Sequence, residues 1–245
     1  MVATAEPTTQ FRGFSPAAIQ FLVDLRANND RAWFQPRKAD YERLLKEPLE
    51  ALCVDLAAEF ERQKIPLRAD PKKSPFRIYR DTRFSKDKSP YKTNVAADFP
   101  WAGASAPGGA DASTGWPGAG GYFHLSPEGS YIGGGMWHPE PARLAAFRKK
   151  VDEQPEKTLA VLNEPKFLKR LGPVHGDSLK RVPQGYPGDH QHADLLKLKD
   201  VTFGRQLSDD EALSQDLPRI LAEDFAIAVP VMALLASLQP EFSAT

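Results

Sequence analysis

Cysteine occurs once in this 245-residue chain, at Cys53, which excludes an internal disulfide and any zinc cage built from cysteines. Leu49, Leu52, Leu56 and Phe60 flank it at helical spacing, so the thiol reads as part of a core rather than as a nucleophile. Long apolar runs are also missing. The most apolar stretch, residues 226–238, contains Pro230 and falls short of the roughly 20 residues that a membrane-spanning helix requires, so no membrane partner is expected. Residues 1–10 have neither a basic start nor an apolar centre and include Glu6 and Pro7; they read as a disordered lead, and the expected location is the cytoplasm. Net charge is absent as well, which argues against a protein that coats nucleic acid with its whole surface. No internal repeat is visible, and there is no G-x-S-x-G elbow, no H-E-x-x-H, no kinase set and no clear carboxylate pair for glycoside hydrolysis, which disfavours those reaction classes.

Against this neutral background one stretch is strongly basic. Residues 72–92 hold Lys72, Lys73, Arg77, Arg80, Arg83, Lys86, Lys88 and Lys92 against only Asp81 and Asp87, a local charge of +6 interleaved with Phe, Ile and Tyr. Such an imbalance predicts a docking surface for an anion. Residues 76–80 alternate like a strand, residues 85–90 are rich in turn formers, and residues 95–99 resume an extended pattern. A helix starting at Ser74-Pro75 competes with the strand and would stack the three arginines, but aromatic and branched residues fill the apolar positions and favour the strand. A straight strand would hold Arg77 and Arg83 roughly 20 Å apart, so one clamp requires a bend near Asp81. On strict alternation Arg80 shares a face with Phe76 and Ile78, which makes Asp81 its nearest carboxylate partner. A purely structural Arg-Asp network therefore stands beside the anion site as a reading of the same residues.

The rest of the chain gives the frame. Ser15-Pro16 opens a helix carrying Ile19, Leu22, Val23 and Leu25, and Asn28-Asn29 ends it by tolerance of the left-handed conformation. Two further helical patterns follow, separated near Pro48, with Trp33 and Phe34 read as packing residues. Residues 100–120 form a Gly/Pro/Ala-rich stretch with Trp101 and Trp116, read as a flexible insertion in a hairpin. Residues 122–125 and 131–132 are two more strands, the second ended by Gly133-Gly134-Gly135. Helices follow from Pro141, residues 201–207 make an edge strand, and Ser208 opens the last helical region with acids in its first turn. The expectation is an α+β fold, with a central antiparallel or mixed sheet of four or more strands covered by N- and C-terminal helices. A single domain is expected over residues 11–240.

The pattern Arg77-x-x-Arg80-Asp81-x-Arg83-Phe84-x-x-Asp87-Lys88-x-x-Tyr91 resembles the signature of a bacterial family numbered 2461 among domains of unknown function. The likeness runs from Phe14 to about Leu238, through Asn28-Asn29 before Trp33-Phe34, the glycine triplet and Gly185-Tyr186. It implies a single-domain protein without an assigned activity, in which residues 100–120 exceed the usual linker.

The leading functional expectation is a phosphate-bearing small molecule or nucleotide bound at the basic strand-turn-strand. Arg77, Arg80, Arg83, Lys88 and Lys92 would be the anion ligands, and Tyr91 would donate its hydroxyl. If the protein is an enzyme, transfer or hydrolysis of a phosphoryl or acyl group fits, with Asp81 or His138 as candidate base. The alternative is a non-catalytic module that binds nucleic acid or protein through the same surface. Asp189-His190-x-His192-x-Asp194 lies beside Pro187 and Gly188 and reads as a loop, so neither a metal nor a cofactor is expected.

Overall fold

Alternating side chains in four short segments build an antiparallel meander at the centre of the protein, in a computed structural model that describes residues 10–83, 86–102 and 118–238. Its strands are β1 (Val95–Pro100), β2 (Gly120–Leu125), β3 (Ser130–Met136) and β4 (Val201–Leu207), paired in the order β1-β2-β3-β4. The register sets Ala97 beside Phe123 and Ile132, and Phe99 beside Gly121 and then Gly134 and Phe203. These residues are buried, forming the face that helices cover. The glycine triplet lies inside β3 rather than ending it.

Helices that precede and follow the sheet cover this face, giving the expected α+β architecture. After α1 (Pro16–Ala27), helical turns run without a break from residue 31 to residue 63. They comprise α2 (Arg31–Phe34), a 3-10 turn, α3 (Lys38–Tyr41), a π turn at Glu42–Lys46 and α4 (Glu47–Gln63). Pro48 does not separate two helices as its chemistry predicts. It falls in the first turn of α4, where a missing N–H is tolerated, and the wide π turn before it carries the chain through. Between β3 and β4 come α5 (Pro141–Glu153), α6 (Pro155–Leu162), α7 (Pro165–Leu171) and α8 (Ala193–Lys197), and after β4 come α9 (Asp209–Leu213) and α10 (Leu217–Ala236). Ser208 caps α9 in a capping box with Glu211. Phe60 of α4, Phe225 of α10 and Phe99 of β1 meet edge to face with centroids 5.7–5.8 Å apart. Gly121 lets α10 approach, because a Cβ there would stand 2.6 Å from the Phe225 ring.

A buried ion cluster fastens α10 to the sheet edge. Asp224 is fully buried and pairs with Arg170 of α7 and with Arg205 of β4. Arg205 also forks onto both oxygens of Glu211, at 2.7 and 2.8 Å.

The basic stretch departs from a regular strand pair. Isolated bridges join Pro75 to Ala97 and Tyr79 to Tyr91, and hydrogen bonds run from Phe76 N–H to Ala96, from Arg80 N–H to Pro90 and from Lys92 N–H to Ile78. Pro75 and Pro90 have no N–H to donate, so the ladder stays interrupted. Of the stretch at residues 100–120, residues 103–117 lie outside the described part, as do the lead at residues 1–9 and the end from residue 239.

Asn28-Asn29 also does something other than the expected helix stop. Asn28 has φ −133°, not a left-handed value, and its amide donates to the Asp24 carbonyl. Asn29 instead works like a piece of strand: its amide donates to the Tyr91 carbonyl and its side-chain oxygen accepts from the Tyr91 N–H, both at 3.0 Å. Tyr91 is fully buried and its ring stacks on Phe34 at 4.1 Å. Asn29→Ala leaves a buried N–H and C=O unsatisfied, and should lower stability by about 2 kcal/mol in urea unfolding. An unchanged midpoint would mean that water replaces the amide.

Candidate functional site

The basic turn is folded onto its own acids. Arg83 forks onto Asp81, with Nη2 at 2.6 Å and Nε at 3.0 Å, and Arg80 pairs with Asp87 across the turn rather than with Asp81. The side chain of Asp81 reaches forward to Arg83, whose backbone N–H it also accepts. Sequence adjacency therefore assigned the wrong partner to Arg80. Hydrogen bonds from Arg83 hold the Asp81 carboxyl down at about 2, and Ser89 and Arg80 hold Asp87 well below the usual carboxylate range. A carboxylate so held is a poor proton acceptor near neutrality. Lys88 donates to the Thr82 carbonyl, and Arg77 is exposed and adds to the positive charge around Asp81. Tyr91 is not on this surface at all. Its hydroxyl is buried without a partner among the described residues, so it is no donor to an anion at the turn.

Lys92, too, is carried to a different place. Its ammonium stands 5.3 Å from the centre of the Phe76 ring, and Phe76 is one wall of a cleft of about 400 Å³. Tyr122, His124, Tyr131, Gly134, Gly135, Trp137, Thr202 and Phe203 complete its lining.

The cleft follows from the register. Opposite the helix-covered face, one row across the sheet reads Ala96, His124, Tyr131 and Gln206, and the next reads Asp98, Tyr122, Gly133 and Gly204. A third reads Pro100, Gly120, Gly135 and Thr202. Glycine thus replaces side chains over the middle of this face and leaves a depression between aromatic walls. A Cβ at Gly133 would stand 2.6 Å from the Tyr131 ring, so the glycine lets that ring lie down on the sheet. Gly135 has φ +110°, a conformation that side chains resist.

Polar groups in the cleft are linked. Tyr122 receives a hydrogen bond from the Asn94 side chain, and its hydroxyl lies 3.1 Å from His124 Nδ1. His124 Nε2 lies 3.1 Å from the Gly129 carbonyl, an acceptor only, so Nε2 carries the proton and Nδ1 accepts from the tyrosine. Burial pushes His124 down and lifts Tyr122 to about 12, so both stay neutral. Asp98, paired with Tyr122 across the strands, has its carboxyl raised to about 7 by burial.

His138 is not part of the lining but stacks on Trp137, which is, with ring centres 4.0 Å apart. Its φ of +49° is left-handed. The buried Asp200 accepts from its backbone N–H at 2.6 Å and lies 3.0 Å from its Nδ1.

The family described as conserved hypothetical protein (DUF2461) matches residues 17–233. The chain belongs to that family. No curated protein and no solved structure matched it. In this DUF2461 protein the segment at residues 189–194 is tied up locally in part: His190 lies 3.2 Å from Asp152 and accepts from the His192 N–H, while Asp194 pairs with Lys197. Among the described residues, no three His, Cys, Asp or Glu side chains group as metal ligands would. Cys53 is buried, and its thiol is pushed up by that burial. From the sequence Tyr122 and Tyr131 read only as strand residues and His124 only as one of five candidate histidines, because period-2 alternation shows which residues share a face but not which strands lie side by side. The usable signal was Tyr122-x-His124 next to a glycine triplet on a neighbouring strand.

Proposed function

We propose that this DUF2461 protein binds a small molecule with a flat ring and an anionic tail, with a mononucleotide as the leading class. The observation that carries the reading is the cleft of about 400 Å³ with aromatic walls and a glycine floor. Its size lies within the roughly 300–1,000 Å³ of small-molecule sites. A ring stacked on such walls gains about 1–3 kcal/mol, and Tyr131, Phe76 and Trp137 supply the faces. Lys92, beside Phe76, meets the anion, with Arg77 as the next cation along the same segment. The phosphate-bearing ligand expected from the sequence is kept, while its site moves from the turn to the cleft.

Melting curves with AMP, GMP, CMP and UMP test this. At about a hundredfold excess over Kd, binding to the folded state contributes roughly 2.7 kcal/mol, which for a chain of this size raises Tm by roughly 5–10 °C. Trp137→Ala should abolish the rise, and inorganic phosphate at the same concentration should not reproduce it. If none of the four shifts Tm, the reading fails. The alternative, a non-catalytic nucleic-acid module using the basic surface, predicts instead that a single-stranded oligonucleotide binds with affinity falling steeply in log salt.

A further inference from the structure

His138 has the geometry of a base rather than of a turn residue. One carboxylate oxygen of Asp200 accepts its backbone N–H and faces its Nδ1, so Nδ1 carries the proton and Nε2 is left as an acceptor. Among the described residues Nε2 has no partner, and the side chain is 53% exposed while Asp200 is only 5% exposed. The ring is fixed from a second direction by Trp137, itself a wall of the cleft. An imidazole with one nitrogen anchored to a buried carboxylate and the other open beside a ligand cleft is the arrangement that general-base catalysis needs. The left-handed step at His138 comes after the end of β3, past Trp137.

We propose that the cleft is catalytic, with His138 Nε2 as general base and Asp200 as its positioning residue, in the hydrolysis of an ester carried by the ring-bearing ligand. The inference rests on the ligand-binding reading of the same cleft. In the step, Nε2 takes a proton from water as the water oxygen bonds to the acyl or phosphoryl centre. The bond from that centre to the leaving oxygen then breaks, and the imidazolium returns the proton to the leaving group or to solvent. Water is the only co-reactant.

The test uses p-nitrophenyl acetate, an activated ester that reports on a ready imidazole without requiring the natural substrate. His138→Asn keeps a residue that tolerates the left-handed conformation, and His138→Gly removes the conformational question altogether. Wild-type protein should release p-nitrophenolate about 100-fold faster than either variant, and added imidazole should restore part of the rate in His138→Gly. Asp200→Asn, which still accepts the backbone N–H, should lower kcat at least roughly tenfold with KM unchanged. Equal rates for wild type and His138→Asn would overturn the proposal, whether or not nucleotides raise Tm. A His138-dependent rate with no nucleotide shift would leave the base standing and remove the assigned ligand class.

Discussion

Asp224→Ala should lower the free energy of unfolding by about 3–5 kcal/mol, the cost of removing one side of a buried ion pair. The carboxylate is fully buried on α10 and takes a hydrogen bond on each oxygen, from Arg170 and from Arg205. Without it Arg170 keeps a 3.8 Å contact with Glu211, and Arg205 keeps Glu211 and the Gln206 carbonyl. Urea unfolding at pH 7 measures the loss; a wild-type midpoint would mean that water solvates both guanidiniums. Acid gives an independent view of the same cluster. Glu211 is drawn from 4.5 down to about 2, chiefly by its hydrogen bonds with Arg205. A lowered folded-state value means that the unfolded chain binds the proton first, so this contribution is complete above about 4.5 and disappears as the pH falls toward 2. Glu211→Gln should flatten the acid limb of the stability profile.

Much of this frame is legible from local pattern. Helix starts at Pro16, Pro141 and Asp209 follow from caps and prolines, and the four strands follow from alternation between turn formers. Features that depend on partners distant in sequence are not. Asp224 sits in an apolar helix with nothing nearby to show that two arginines, 54 and 19 residues away, converge on it. Asn29 offers a tolerant helix stop by residue type, yet its amide is used on Tyr91, 62 residues on. Where local chemistry allows two outcomes, tertiary packing decides.

The candidate site shows the same division more sharply. A charge excess of +6 is a real property of residues 72–92, but charge counts ignore pairing, and Arg80 and Arg83 are held by Asp87 and Asp81. His138 was visible as a histidine after glycines. Its partner Asp200 was not, because it precedes β4 and reaches His138 only when β4 pairs with β3. The cleft itself is written in absences, since Gly134 and Gly135 line it and Gly133 and Gly204 make room for the Tyr131 ring only once the register aligns them.

Asp98→Asn should make the protein more stable, by roughly 2–4 kcal/mol above pH 7, with the gain vanishing near pH 4. Burial raises this carboxyl from 3.8 to about 7. The folded chain therefore keeps its proton through a range in which the unfolded chain releases it. Stability falls as the pH climbs from about 4 to about 7 and is level beyond. Asparagine has nothing to ionise and escapes the loss. A half-buried acid that burdens the fold at neutral pH is the kind of residue that stability alone would not retain, and it stands on the glycine face, opposite Tyr122 of the cleft wall. Melting temperatures of wild type and Asp98→Asn, compared at pH 4 and pH 8, decide the matter. A gain that persists undiminished at pH 4 would assign the effect to packing, and the carboxyl would then have no special cost to explain.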